Sequence, residues 1–298
     1  MDNVTITGAS GLVGSALRAS IGRDVAMLSL GSAQWRTNLE AASLEDATVY
    51  HLAARVHHVG RQEEADYHRD NAVKTRALAE TAARKRARRL VFLSTIKVNG
   101  EETPGRAFAR GDIPAPHDAY ARSKLAAERA LSEIAASSAL EVVIVRSPLV
   151  LGAGARGNLD SVLRLAASPL PLPFAALDNR RSFVHVDDLA RLLLACGAHP
   201  AALGKTYFAA HHDPFSTRRL FATLRRELGR RERLFAIAPR ALERLAALAG
   251  QGERVRRLTR SLEVDASAAQ HELGWIAQVS FEQAAREMAQ AFLAGARK

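Results

Sequence analysis

The sequence predicts an α/β fold, a doubly wound parallel sheet with a smaller C-terminal lobe. Short, nearly continuous apolar runs recur at residues 4–7, 25–30, 49–53, 90–94 and 142–146, with helical patterns between them, notably 70–85 and 123–137. A glycine triplet closes the first run. Strands apolar on both sides must be covered on both faces, and right-handed crossovers between parallel strands supply the covering helices. After Val4–Thr7 the chain turns at Gly8, and Leu12, Val13, Ala16 and Leu17 then recur at helical spacing. Beyond Pro148 the texture changes. Gly152, Gly154, Gly157, Pro169, Pro171 and Pro173 interrupt the alternation of strand and helix. Residues 181–186 and 205–208 read as strands returning to the sheet, and 217–229, 239–249 and 281–295 read as helices. The expected organisation is a nucleotide-binding domain over 1–151, rejoined by 183–209, and a substrate-binding lobe built from 152–182 and 210–298.

Composition narrows the function classes. With 298 residues, 48% hydrophobic and 24% charged, the chain matches a soluble globular protein rather than a fibre or a disordered segment. No apolar run approaches the roughly 18 residues of a membrane span, and the first residues read as a strand rather than an export signal, so a cytoplasmic protein with no membrane partner is expected. The single cysteine, Cys196, excludes an internal disulfide and sits in an apolar helical stretch as a small core residue. The pairs His57-His58 and His211-His212 lack carboxylates at ligand spacing, so no metal is expected. The net charge of +11 favours anionic ligands. Its densest clusters, residues 84–89 and 218–233, read as solvated helix faces. With only 5% aromatic residues to interleave, nucleic acid is not the expected partner.

Three motifs carry chemistry. In Thr7-Gly8-Ala9-Ser10-Gly11-Leu12-Val13-Gly14, missing Cβ atoms let backbone N–H groups approach a diphosphate at the positive end of a helix, and Gly14 lets that helix pack against its strand. Tyr120 and Lys124 lie four apart on one helix face, where an ammonium would favour the phenolate; a surface tyrosine beside a solvated lysine is the plainer alternative. Ser94-Thr95-Ile96-Lys97-Val98-Asn99-Gly100 places hydroxyls where a strand ends, facing the crevice that binds ligands in open α/β sheets.

Together with His51-Leu52-Ala53-Ala54-Arg55-Val56-His57, Tyr120 to Glu128, Gly157-Asn158, Arg180-Arg181-Ser182-Phe183 and Leu273-Gly274-Trp275, these motifs make the chain resemble the extended short-chain dehydrogenase/reductase superfamily. The resemblance covers nearly the whole chain. It is nearest the NAD-dependent epimerase/dehydratase family, in the branch of UDP-glucose 4-epimerase-like proteins and UDP-4-keto-sugar reductases. It implies a Rossmann domain in which Gly8, Gly11, Leu12, Val13 and Gly14 hold the cofactor diphosphate, with Leu52, Ala53, Ala54 and Pro148 lining the site. Tyr120 would exchange the proton at the sugar oxygen, Lys124 would bind the nicotinamide ribose, and Thr95 would hydrogen-bond the reacting oxygen. Asn158 and Arg181 would contact the diphosphate of a nucleotide sugar, with Lys97 also on the substrate. Where sugar-nucleotide dehydratases carry an acidic pair, this chain has Ile96 and Lys97, which disfavours dehydration. The second strand ends in Leu28-Ser29-Leu30-Gly31-Ser32 with no acid for the ribose hydroxyls of NAD, which leans the cofactor choice, NAD or NADP, toward NADP. The implied activity is hydride transfer at C4 of a UDP-hexose or UDP-N-acetylhexosamine, by a 4-epimerase or a 4-keto reductase, in polysaccharide precursor synthesis. A non-catalytic NAD(P)-binding sensor or assembly protein is the alternative. A homodimer through the helices at 70–85 and 123–137 is implied by resemblance only.

Overall fold

The computed structural model describes residues 3–22, 25–56, 63–155 and 157–295, with the side chain of Asn158 outside that set. His57 and His58 lie outside the described residues. The strands are β1 (Val4–Thr7), β2 (Ala26–Leu28), β3 (Thr48–His51), β4 (Arg89–Thr95), β5 (Glu141–Ser147), β6 (Leu149–Leu151), β7 (Phe183–His185) and β8 (Thr206–Phe208). Six of them form one all-parallel sheet in the order β2-β1-β3-β4-β5-β8. The helices are α1 (Leu12–Ile21), α2 (Trp35–Ala41), α3 (Glu64–Tyr67), α4 (Lys74–Arg84), α5 (Ala119–Ala136), α6 (Asn158–Ala167), α7 (Val186–Ala198), α8 (Thr217–Glu227), α9 (Pro239–Leu248), α10 (Gly252–Thr259), α11 (Ser267–Leu273) and α12 (Phe281–Gly295).

Period-two alternation sorts the strand side chains onto two cores. Ile6, Tyr50, Val91, Val143 and Val145 meet α1, α7 and α11 on one face, in a cluster that includes Cys196. Val49, Leu90, Phe92, Val142 and Ile144 meet α2, α4 and α5 on the other. A third cluster joins α6, α8 and α12 to β6 and β7 and forms the core of a second, smaller lobe.

The structure departs from the sequence reading in four places. Residues 181–186 supply only β7, which pairs with β6 in a separate two-stranded parallel sheet; only β8 rejoins the large one. Strand–helix alternation therefore continues past Pro148, because the glycines bend the chain without preventing the α6 crossover. The helix expected over 70–85 begins at α3 and passes through a π-helical turn, His68–Val73, before α4. The two arginine clusters are not uniformly solvated faces. Arg89 is buried on β4, pairs with Glu141 at 2.6 Å and donates to the carbonyls of Cys196, Gly197 and His199, capping the C-terminus of α7. Arg225, expected to be exposed, is fully buried: its guanidinium donates to the carbonyls of Ser168, Leu170, Arg231 and Glu232, so it staples the lobe. A guanidinium reaches several carbonyls that the surrounding loops leave unpaired, a role that helical spacing does not reveal.

After β1 the chain visits β2 on one side and then crosses back to β3 on the other, so a crevice opens beyond the C-terminal ends of β1 and β3. The first turn and the segment after His51 both end there. Gly8 has φ +71°, and a Cβ on it would lie 2.7 Å from the Ala53 nitrogen; a Cβ on Gly14 would lie 2.2 Å from the Gly8 carbonyl oxygen. Both glycines are needed for packing, whereas a Cβ on Gly11 would meet only the Gly8 carbonyl, at 3.3 Å. Gly14→Ala should therefore destabilise the fold by about 1–3 kcal/mol or more through backbone displacement. Gly31→Ala, with nothing within 4 Å of its added Cβ, should stay within about 0.5 kcal/mol of the parent. Urea unfolding of the two variants checks this.

Candidate active site

The crevice has the shape a dinucleotide requires. Gly11 is the N-cap of α1 with extended backbone, so the first N–H groups of α1 face the open space beside Ser10 and Gly11. That cleft has a volume of about 540 Å³, bordered across from α1 by Gly154 and His185. A second cavity, of about 270 Å³, lies where Leu30 and Gly31 follow β2, against Ala53, Ala54, Arg55, Asp70 and Lys74. Leu12 and Val13 are half-buried at the root of α1, and Leu12 packs against the core of the smaller lobe. Leu52, Ala53 and Ala54 are half-buried, and Pro148 is buried between β5 and β6. The glycine cradle, the paired cavities and the strand ends fit a nicotinamide dinucleotide.

A chain of hydrogen bonds fixes the walls of this crevice. His51 contacts Thr7 Oγ1 through Nδ1 at 2.6 Å and Thr75 Oγ1 through Nε2 at 2.7 Å. Thr75 spends its only hydroxyl proton on the Asn71 carbonyl, so it must accept from Nε2–H; Nδ1 then accepts from Thr7, whose oxygen accepts the Ala53 N–H. Burial, with the Lys124 charge, holds the imidazole pKa down to about 3, so it is neutral as this polarity requires. Asn71, in the π-helical turn, accepts from the Arg55 N–H and donates to the Arg55 carbonyl and to Ser123 Oγ, which itself donates to the Tyr120 carbonyl. Neither His51 nor Asn71 was singled out for this role by the sequence reading. The available signal was an asparagine, a poor helix former, at a buried position of a helical pattern. Asp70 beside it is burdened by burial, yet hydrogen bonds from Lys74, Arg55 and Arg69 hold its carboxyl down to about 2.

Helix α5 presents Tyr120, Lys124 and Glu128 at intervals of four, and three contacts tie this face to the end of β4. Asp118, the N-cap, accepts from the Ala121 N–H and from Lys97 Nζ at 2.6 Å. Lys124 Nζ donates to the Leu93 carbonyl at 2.7 Å and lies over the Phe92 ring. Glu128 accepts from Ser94 Oγ and is paired with Arg146, whose other nitrogen donates to Asn99 Oδ1. These contacts hold the end of β4, which carries Thr95, against the face of α5 that carries Tyr120 and Lys124. Thr95 Oγ1 accepts the Lys97 N–H, which leaves its hydroxyl proton directed elsewhere.

The electrostatics correct one expectation. Lys124 does not lower the Tyr120 pKa here: burial pushes the phenol up, and Asp118 and Tyr67 push it further. Burial holds the Lys124 ammonium down to about 7, with Glu128 opposing.

Of the residues expected to contact substrate, Lys97 is held between Asp118 and Glu101. Arg181 donates to the Arg260 carbonyl, and burial together with Arg257 lowers its pKa to about 10. The Glu101 carboxylate, 3.9 Å from Arg257, opposes that shift. Arg257, on α10, lies outside both arginine clusters that the sequence singles out, and no motif marks it. Asn158 opens α6, and its side chain lies outside the described residues. Among the described residues no cluster of three or more histidine, cysteine or acidic side chains is placed to hold a metal.

A glycine cradle at the switch point, with a Tyr–Lys helix face beside it, defines a nicotinamide-dependent oxidoreductase or epimerase of the extended short-chain dehydrogenase type. The chain belongs to the NAD-dependent epimerase/dehydratase family, whose profile matches residues 4–210. It is 32% identical to a UDP-glucose 4-epimerase of Vibrio cholerae over 98% of this chain and 95% of that one. It is 34% identical to a dTDP-4-dehydrorhamnose reductase of Mycobacterium tuberculosis over 72% of each. Its fold is similar to that of RMD from Pseudomonas aeruginosa complexed with NADPH, with a TM-score of 0.80 at 19% identity over 99% of this chain and 100% of that one.

The buried lysine makes stability pH-dependent. Its pKa in the unfolded chain is about 10.4 and about 7 when folded, so between those values the unfolded chain binds more protons and stability rises with pH. Lys124→Met should flatten this rise between about pH 7 and 10. Chemical unfolding across that window reads it out; an unchanged slope in the variant would place the titration elsewhere.

Proposed function

We propose that this protein is an NAD(P)-dependent nucleotide-sugar enzyme acting at C4 of a UDP-hexose or UDP-N-acetylhexosamine, as a 4-epimerase or a 4-keto reductase supplying polysaccharide precursors. The docking of the Tyr120–Lys124 face of α5 on the end of β4, which carries Thr95, in a chain whose first strand ends in the glycine turn, supports this reading. When bound, the nicotinamide gives or takes the hydride. Tyr120 holds and delivers the proton at the C4 oxygen; its raised pKa keeps the phenol protonated, the form that donates during reduction of a ketone. Thr95 donates a hydrogen bond to the same oxygen. Lys124 binds the nicotinamide ribose and, once the site is filled, its charge steadies the phenolate. Gly8, Gly11 and Gly14, with Leu12 and Val13, cradle the cofactor diphosphate; Leu52, Ala53, Ala54 and Pro148 line the remainder. Arg181 and Asn158 grip the substrate diphosphate, an assignment supported by the relatives' nucleotide-linked substrates, and Lys97 borders the sugar.

NADP is favoured over NAD. No carboxylate follows β2, and the cavity there sets Arg55 and Lys74 against Asp70 alone, a balance that accommodates a 2′-phosphate. A non-catalytic sensor has no need of three aligned proton-handling side chains.

Two variants test the reading. Tyr120→Phe should lower turnover by about 10²- to 10⁴-fold while NAD(P) binding is unchanged. Turnover would be followed by NMR of UDP-glucose and UDP-N-acetylglucosamine and, for a 4-keto sugar, by NADPH absorbance; a rate close to wild type sinks the mechanism. Gly11→Val should abolish NAD(P) binding in calorimetry while the protein still folds cooperatively with a stability loss of about 0.5–2 kcal/mol, because its side chain enters the ligand's space and meets the fold only at the Gly8 carbonyl and as a poorer helix cap.

A further inference from the structure

Thirteen arginines and four glutamates, with no lysine or aspartate, fall between residues 218 and 260, which concentrates most of the chain's +11 charge in one stretch. Elsewhere many exposed cations are paired on the molecule, as Arg76 is with Glu133, Arg84 with Glu40, Arg106 with Asp112, Arg122 with Glu64 and Arg180 with Glu263, and the exposed arginines that have no carboxylate partner among the described residues, Arg18, Arg36, Arg86, Arg129 and Arg164, are scattered along the chain. In this stretch Arg230, Arg231, Arg240 and Arg244 are exposed and pair with no carboxylate among the described residues, while Glu243 is already taken by Arg260.

Large apolar side chains stand among these charges. Helix α9 turns Leu242 and Ala246 toward the lobe core, but leaves Leu245 57% and Leu248 88% exposed. At 3.6 residues per turn, Ala241, Leu245 and Leu248 fall within about 60° of one another, and Arg240 and Arg244 border that stripe. Phe235, 44% exposed, lies just before the helix on a segment hydrogen-bonded to residue 172.

We propose that α9 and the segment leading into it form a peripheral docking surface for an anionic lipid bilayer, with Leu245, Leu248 and Phe235 entering the headgroup boundary and the unpaired arginines contacting lipid phosphates. An amphipathic helix with arginine beside an apolar stripe lies in such an interface. Each arginine within a Debye length of the surface strengthens binding about fivefold. A second copy of the chain is a poor occupant, because a two-fold contact would set this positive patch against itself. Nucleic acid would satisfy the arginines but leave the leucines in water. The proposal is independent of the reaction assigned above, since none of these residues borders the crevice.

Vesicle co-sedimentation tests it. The full-length protein should bind vesicles of phosphatidylglycerol and phosphatidylethanolamine, weaken steeply with salt, and ignore phosphatidylcholine vesicles. Arg240→Glu with Arg244→Glu should weaken binding by about a hundredfold or more. Leu245→Asp with Leu248→Asp should also abolish it, with circular dichroism and NAD(P) binding unchanged in both. Arg84→Glu, in a paired cluster, should change nothing. Equal binding to neutral vesicles, or no binding to anionic ones, overturns the proposal. So does duplex DNA binding shared by the wild-type protein and the leucine variant when the wild-type protein binds no vesicles, or self-association that the leucine variant dissolves.

Discussion

Everything at the crevice depends on how α5 is held against the end of β4. The Glu128–Arg146 pair is buried, and a buried ion pair is worth keeping only where its remaining hydrogen-bonding capacity is met. Here Ser94 and Asn99 meet it, and both belong to the segment that carries Thr95. The same helix face holds Lys124 on the Leu93 carbonyl and, through its N-cap Asp118, holds Lys97. One seam thus sets the register between the tyrosine helix and the hydroxyl-bearing strand end.

The opposite wall of the crevice is governed by a directional chain of hydrogen bonds. Starting at Ala53 and ending at the Asn71 carbonyl, it passes through Thr7, His51 and Thr75, and each hydroxyl proton has one destination. A neutral imidazole suits this wall because it can accept at one nitrogen and donate at the other without bringing an uncompensated charge beside Lys124. Asn71 then links this wall to α5 through Ser123, so both sides of the cofactor crevice are coupled through neutral polar groups.

Buried and exposed arginines divide the labour of a strongly basic chain. Arg89 and Arg225 satisfy carbonyls inside the fold, Arg181 donates to the Arg260 carbonyl with the charge of Arg257 acting on it, and the arginines around α9 remain unpaired on the surface among the described residues. Their shared residue type conceals three functions, because a guanidinium serves equally as a multiple donor in the interior and as a solvated charge outside.

What the sequence determined by itself were the features carried by local periodicity and by residue type: apolar strands, the glycines at 8, 11 and 14, and Tyr120 and Lys124 four apart on a helix. Those signals are local because strand burial, a tight turn and a helix face each involve only neighbouring residues. Only the tertiary structure decided that β7 pairs with β6 rather than the large sheet, that Arg225 is interior, and that Lys124 donates to the Leu93 carbonyl and lies over the Phe92 ring. Each of these depends on groups distant in sequence, whose meeting is set by packing, and a charge acquires its value from the dielectric and partners that packing provides.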